Sequence, residues 1–141
     1  MQDWIPLDPV TLNPGEKEVV HGVEINVGLS PYDVPDGVRG YYDDDIKRFV
    51  IEFRYLDDEE DREPSWQNEN ITLVVGEHTG CLYQIHVNVD DLSANAVKLK
   101  LWVADAIRDL TQDKEFSARR GHYDVANDVV SENADALLEG V

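Results

Sequence analysis

Apolar and polar residues alternate in one register through much of the chain before residue 92. The odd-numbered positions are apolar at Val23, Ile25, Val27 and Leu29, at Phe49, Ile51, Phe53 and Tyr55, at Ile71, Leu73 and Val75, and at Cys81, Tyr83, Ile85, Val87 and Val89. A period of two sends successive side chains to opposite faces of a strand, so the pattern predicts strands with one buried face and one wet face. Residues 19–29 read as a first strand. Residues 38–42 and 46–56 read as a hairpin turning at Asp43-Asp44-Asp45, because Asp side chains bond their own backbone in turns. Residues 71–75 and 81–89 read as a second hairpin across Gly76-Glu77-His78-Thr79-Gly80. Pro6, Pro9, Pro14 and Gly15 make 1–18 an irregular arm that pins Trp4, Ile5 and Leu7 onto the core, and 30–37 (SPYDVPDG) is a turn-rich loop.

Past residue 92 the period becomes helical. A helix is predicted over 94–111 with Ser93 as its N-cap, since Leu99, Val103, Ala106, Ile107 and Leu110 form one stripe. Leu101 and Trp102 are expected to widen that stripe, while Lys98, Asp105, Arg108, Asp109 and Gln112 face water. A second helix over 117–138 carries Ala126, Val130, Ala134 and Leu137 on one face. Strands placed before helices favour the α+β class. The expectation is one α+β domain over 1–141: the arm 1–18, a single antiparallel sheet of about five strands in a meander over 19–92, and one or two C-terminal helices over 93–141 covering one face.

Composition narrows the partners. The 141 residues are 42% hydrophobic, enough for a packed core, and carry 30 Asp and Glu against 12 Lys and Arg, a net charge of −18. The acids concentrate before the helices: residues 1–92 hold 21 acids and 6 Lys or Arg. Such a field repels nucleic acid and anionic membranes and attracts basic proteins or cations. General surface acidity, whether for solubility or for a salty interior, explains the same charge without any partner. The single Cys81 excludes an internal disulfide. No run approaches the roughly 20 apolar residues of a membrane span. Met1 to Pro6 lacks a basic start and an apolar run, so no signal peptide is expected, cytoplasmic placement is the default, and the Asn70-Ile71-Thr72 sequon is read as chance.

Chemistry-bearing clusters are few. Cys81 shares the buried parity, His86 the opposite one, so the two cannot pair, and a structural thiol is the simpler reading. His21, His78, His86 and His122 lack metal-ligand spacing. Asp43, Asp44 and Asp45 splay around a turn. The run from Asp57 fails as a calcium loop, with Arg62 where the glycine belongs and Asn68 where the closing Glu belongs. No metal or cofactor is therefore expected. Asp57, Asp58, Glu59, Glu60 and Asp61 form a self-repelling loop, and Trp66 stands just beyond it in a polar stretch, placed as an aromatic anchor rimmed by acids. The run YYDDDIKRFVIEF, an acidic spacer and ITLVVGEHTGCLYQIHV, over about 41–89, resembles small bacterial β-rich domains of unknown function, and the resemblance implies no activity.

The leading expectation is a non-catalytic module whose loops 43–45 and 57–66 steer a basic protein partner. One rival is a small hydrolase or metal-assisted enzyme built from Asp43–Asp45, His78 and Cys81 at the hairpin tips. Another is a structural homo-oligomer pairing through its second helix or a sheet edge.

Overall fold

The computed structural model describes residues 4–7, 18–20, 23–25, 34–55, 60–89, 95–117 and 120–139. Its main sheet has six antiparallel strands. They are β1 (Ile5–Pro6), β4 (Gly37–Asp43), β5 (Arg48–Arg54), β6 (Arg62–Gln67), β7 (Ile71–Gly76) and β8 (Leu82–Val87), in the spatial order β1-β4-β5-β8-β7-β6. A separate two-stranded hairpin joins β2 (Glu18–Val20) to β3 (Val23–Ile25). The chain also forms α1 (Ala96–Leu110), α2 (Lys114–Ser117) and α3 (Arg120–Leu138). This is an α+β arrangement of one antiparallel sheet with C-terminal helices packed on it.

Three expectations need correcting. The run 19–29 is not one strand: its described residues form two short antiparallel strands, with Val20 paired to Val23 and Glu18 to Ile25. His21, Gly22 and residues 26–29 lie outside the described residues. The arm contributes an edge strand, with Ile5 paired to Val38. The sheet is also not a plain meander, because β8, not β6, pairs with β5. Apolar β8 is buried between two neighbours, whereas β6 carries Pro64, which cannot donate to a ladder and suits an edge.

Residues opposite each other in an antiparallel ladder share a face. Phe49, Ile51 and Phe53 of β5 sit opposite Tyr42, Gly40 and Val38 of β4, so the inward parity of β4 is even. Across β5 and β8 it stays odd, pairing Ile51 with Ile85 and Phe49 with Val87. Two bulges shift it again. One sets Val75 opposite Leu82, and Leu82 and Tyr83 are both buried. The other, at Ser65, sets Trp66 opposite Leu73 and turns the indole onto the core.

The helices close the inward face. Leu99, Val103, Ala106, Ile107 and Leu110 of α1 are buried as the stripe predicts, each large side chain contributing about 1.5–3 kcal/mol. Leu101 is exposed, and Trp102 is half-buried. The N-cap is Asn95, not Ser93: its side-chain oxygen accepts from the Lys98 N–H at 3.2 Å, while Ser93 lies outside the described residues. The second helix, predicted over 117–138, is α3, and the short α2 precedes it. Its buried face is fuller than Ala126, Val130, Ala134 and Leu137 suggested, adding His122, Tyr123, Val125 and Val129. Gly40 lets α3 approach the sheet, since a Cβ there would stand 2.6 Å from the Leu137 carbonyl oxygen and 2.7 Å from Phe49 Cζ.

Candidate binding site

Because β5 runs from the 44–47 turn toward Arg54 and Glu52 pairs with Gln84, the β7–β8 turn lies at the end of the sheet opposite the 44–47 turn. A seven-residue strand spans about 20 Å, and that separation divides the candidate residues into two groups.

At the first end, Asp43 Oδ1 accepts from the Asp45 N–H at 2.9 Å, the self-bonded turn that the triple Asp predicts. Asp44 and Asp45 are exposed there, and Lys47 takes the left-handed conformation with φ 55°. His78 and Cys81 belong to the other end, and Cys81 is buried, so the hairpin-tip grouping on which an enzyme reading rests is not assembled. Among the described residues, no three His, Cys, Asp or Glu side chains converge to hold a metal ion.

The second end is organised around Glu60. Its Oε1 accepts from the backbone N–H groups of His78 at 2.8 Å and Thr79 at 2.9 Å. Its Oε2 accepts from the Thr79 hydroxyl at 2.7 Å and the Tyr83 hydroxyl at 2.8 Å. Burial pushes this carboxyl upward, but the hydrogen bonds from Thr79, Tyr83 and His78 outweigh it and hold the group down at about 2. Gly76 leaves the room that the carboxylate occupies, because a Cβ there would collide with Glu60 and with Tyr83. The Arg62 guanidinium lies 4.3 Å from the Tyr83 ring centroid. The Glu77 N–H donates to the Asp61 carbonyl at 2.8 Å, a second tie between the acidic segment and the turn. Glu60 is thus a clasp, with its oxygens spent on the fold.

Around this clasp lie two adjoining clefts. One, of about 280 Å³, opens between the turn and α2, where Val75 and Phe116 meet Glu63, Glu77 and Glu115. The other, of about 300 Å³, is lined by Glu60, Asp61, Glu77 and His78. Neither lining contains Lys or Arg. Asp57, Asp58 and Glu59 lie outside the described residues. Trp66 is not a loop residue: it sits in β6, half-buried against the core cluster.

Two groupings went unseen in the sequence. On the outward face of the sheet, Arg39 Nη2 pairs with Glu52 Oε1 at 2.6 Å, and Arg39 lies 4.2 Å from the Trp4 ring centroid. Gln84 donates to Glu52 Oε2 at 2.9 Å, with Arg62 at 3.9 Å from the same oxygen. The sequence sign is partial: Arg39 on β4 and Glu52 on β5 hold the outward parity, but Val50, at the same parity as Glu52, is apolar and buried. Inside, fully buried His122 accepts the Leu82 N–H at 3.0 Å through Nε2, and the Tyr55 hydroxyl donates to the Leu82 carbonyl at 2.6 Å. The Tyr123 hydroxyl donates to the Gly80 carbonyl at 2.5 Å, fastening α3 to the same turn. A single histidine in a helical stripe gives no sequence sign of such a partner.

Comparison with protein-family models, with curated proteins and with solved structures found no match to this chain. No described helix is long and apolar enough to cross a membrane.

Proposed function

We propose that the chain is a non-catalytic binding module whose acidic end receives a basic segment of a protein partner. The observation that supports this reading is the pair of clefts at the β7–β8 turn. Carboxylates of Asp61, Glu63, Glu77 and Glu115 surround them without a cation in the lining, on a turn that Glu60 fixes. A lysine or arginine stem entering the first cleft meets Val75 and Phe116, and its charged head meets the three glutamates. Fixing the turn beforehand lowers the ordering cost of association. The Asp43–Asp45 turn, about 20 Å away, adds to long-range attraction rather than to the same contact.

A fluorescent Lys/Arg-rich peptide, titrated by anisotropy, tests the reading. Binding should weaken at least tenfold between about 0.01 and 0.1 M salt, as the Debye length falls from about 30 to 10 Å. The triple variant Glu63→Gln, Glu77→Gln, Glu115→Gln should lose most of the remaining affinity, whereas Asp44→Asn with Asp45→Asn should slow association only modestly. Equal losses from the two sets would refute the assignment to the clefts.

A further inference from the structure

Helix α1 carries two stripes, and only one is used by the core. The other runs through Val97, Leu101, Ala104 and Arg108, spaced four, three and four residues apart, and all four are exposed. Val97 at 66% and Leu101 at 59% are the most exposed large apolar side chains among the described residues. That spacing is the alternating a and d pattern of a two-helix seam. In a chain of net −18 this helix carries a net +1, holding Lys98, Lys100 and Arg108 against Asp105 and Asp109.

We infer that this stripe is the docking face for a second copy of the chain, packed antiparallel about a two-fold axis. In that register Leu101 seats on Ala104 of the second copy, and Val97 covers the aliphatic stem of its Arg108. The flanking positions Lys98 and Asp105 then meet across the axis twice, so that each Asp105, paired at 3.1 Å with Arg108 of its own helix, gains Lys98 of the second copy as a further cation. A parallel pairing would instead stack Arg108 on Arg108 in the seam. The β6 edge offers no such route to self-association, because Pro64 and the bulge at Ser65 interrupt its ladder. The seam is short. Fifteen residues make a helix about 22 Å long, which buries far less than the roughly 800 Å² per partner of a standard stable interface. The dimer is therefore weak and concentration-dependent, and the mutual repulsion of two acidic chains makes it stronger in salt. Dimerisation and peptide binding accordingly respond to salt in opposite directions. The inference does not rest on the clefts.

Sedimentation velocity from about 10 μM to 1 mM, at low and high salt, tests it. The expected result is a monomer–dimer equilibrium shifted toward dimer by concentration and by salt. Leu101→Glu should weaken association at least tenfold while leaving the urea midpoint unchanged, since the side chain is exposed in the monomer. Lys98→Asp and Asp105→Lys should each weaken it several-fold, and the double swap should restore it. A monomer throughout, undiminished dimer in Leu101→Glu, or no rescue by the double swap overturns the inference.

Discussion

Replacing Glu60 by Gln asks whether one carboxylate holds the β7–β8 turn. The amide keeps the shape and one acceptor, but it presents an NH₂ group to hydroxyls that now donate to Oε2, those of Thr79 and Tyr83. The carboxyl sits at about 2 rather than its ordinary 4.5, which sets a ceiling of about 3 kcal/mol on what ionisation contributes. The group is largely open to solvent, so screening reduces this to about 1–2 kcal/mol. Loss of one negative charge from a chain at −18 pulls the other way by relieving general repulsion. The sign of the pH dependence follows from linkage. A carboxyl lowered by folding stabilises fully above its unfolded value near 4.5, and the stabilisation is lost as pH falls through about 2. Urea unfolding followed by tryptophan fluorescence should therefore place Glu60→Gln about 1–2 kcal/mol below the parent at pH 7. That gap should narrow steadily between pH 4.5 and 2, with equal m-values. Comparing the two proteins at each pH cancels the titration of every other acid. A gap independent of pH over that range, or a variant as stable as the parent at pH 7, refutes the clasp.

Other elements give further expectations. Gly40→Ala should cost about 1–3 kcal/mol by overpacking, because the added methyl meets the Leu137 carbonyl and the Phe49 ring, and the urea midpoint should fall accordingly. Asn95→Ala removes the cap of α1 and should cost about 1 kcal/mol, with Asn95→Asp close to neutral in the same assay. Leu99→Ala should cost about 2–5 kcal/mol, because the residue is fully buried, whereas Leu101→Ala on the same helix should lie within about 0.5 kcal/mol of the parent. His122→Phe keeps the aromatic volume but leaves the buried Leu82 N–H without its acceptor, and should cost about 1–3 kcal/mol in urea unfolding.

The layered fold was legible because period two and period 3.6 are written in the apolar positions themselves. Phe49, Ile51, Phe53, Ile71, Leu73, Ile85 and Val87 face inward, and Val103 is buried over them. Parity failed where register intervened. The β4–β5 pairing inverts it at Val38, and the bulges invert it at Leu82 and Trp66, because a one-residue slip moves a side chain to the other face. Strand order was not legible either, since alternation carries no record of which strand lies beside which. For the candidate site, acidity was visible and its division was not. The same composition supplies a clasp at Glu60, cleft walls at Glu63 and Glu77, and a distant turn at Asp43, and only long-range pairing tells them apart.

Separating clasp from cleft has a consequence for how the acidic end works. A carboxyl held near 2 stays ionised from mildly acidic pH upward, so across that range the turn keeps its geometry whether or not a cation is nearby. Glu63, Glu77 and Glu115 accept no hydrogen bond that would compete with a ligand among those that shape the turn, which leaves their charge available. In the antiparallel dimer, α1 of one copy runs opposite to α1 of the other. In that proposed arrangement the two copies of Phe116, just beyond the C-terminal end of α1, lie at opposite ends of the seam. Under the two proposals together, a basic partner bearing two segments at that spacing would gain avidity from the pair that neither cleft supplies alone. Salt then acts on the two steps in opposition, weakening each cleft contact while favouring the seam, so affinity for a two-segment partner should fall less steeply with salt than affinity for a single peptide.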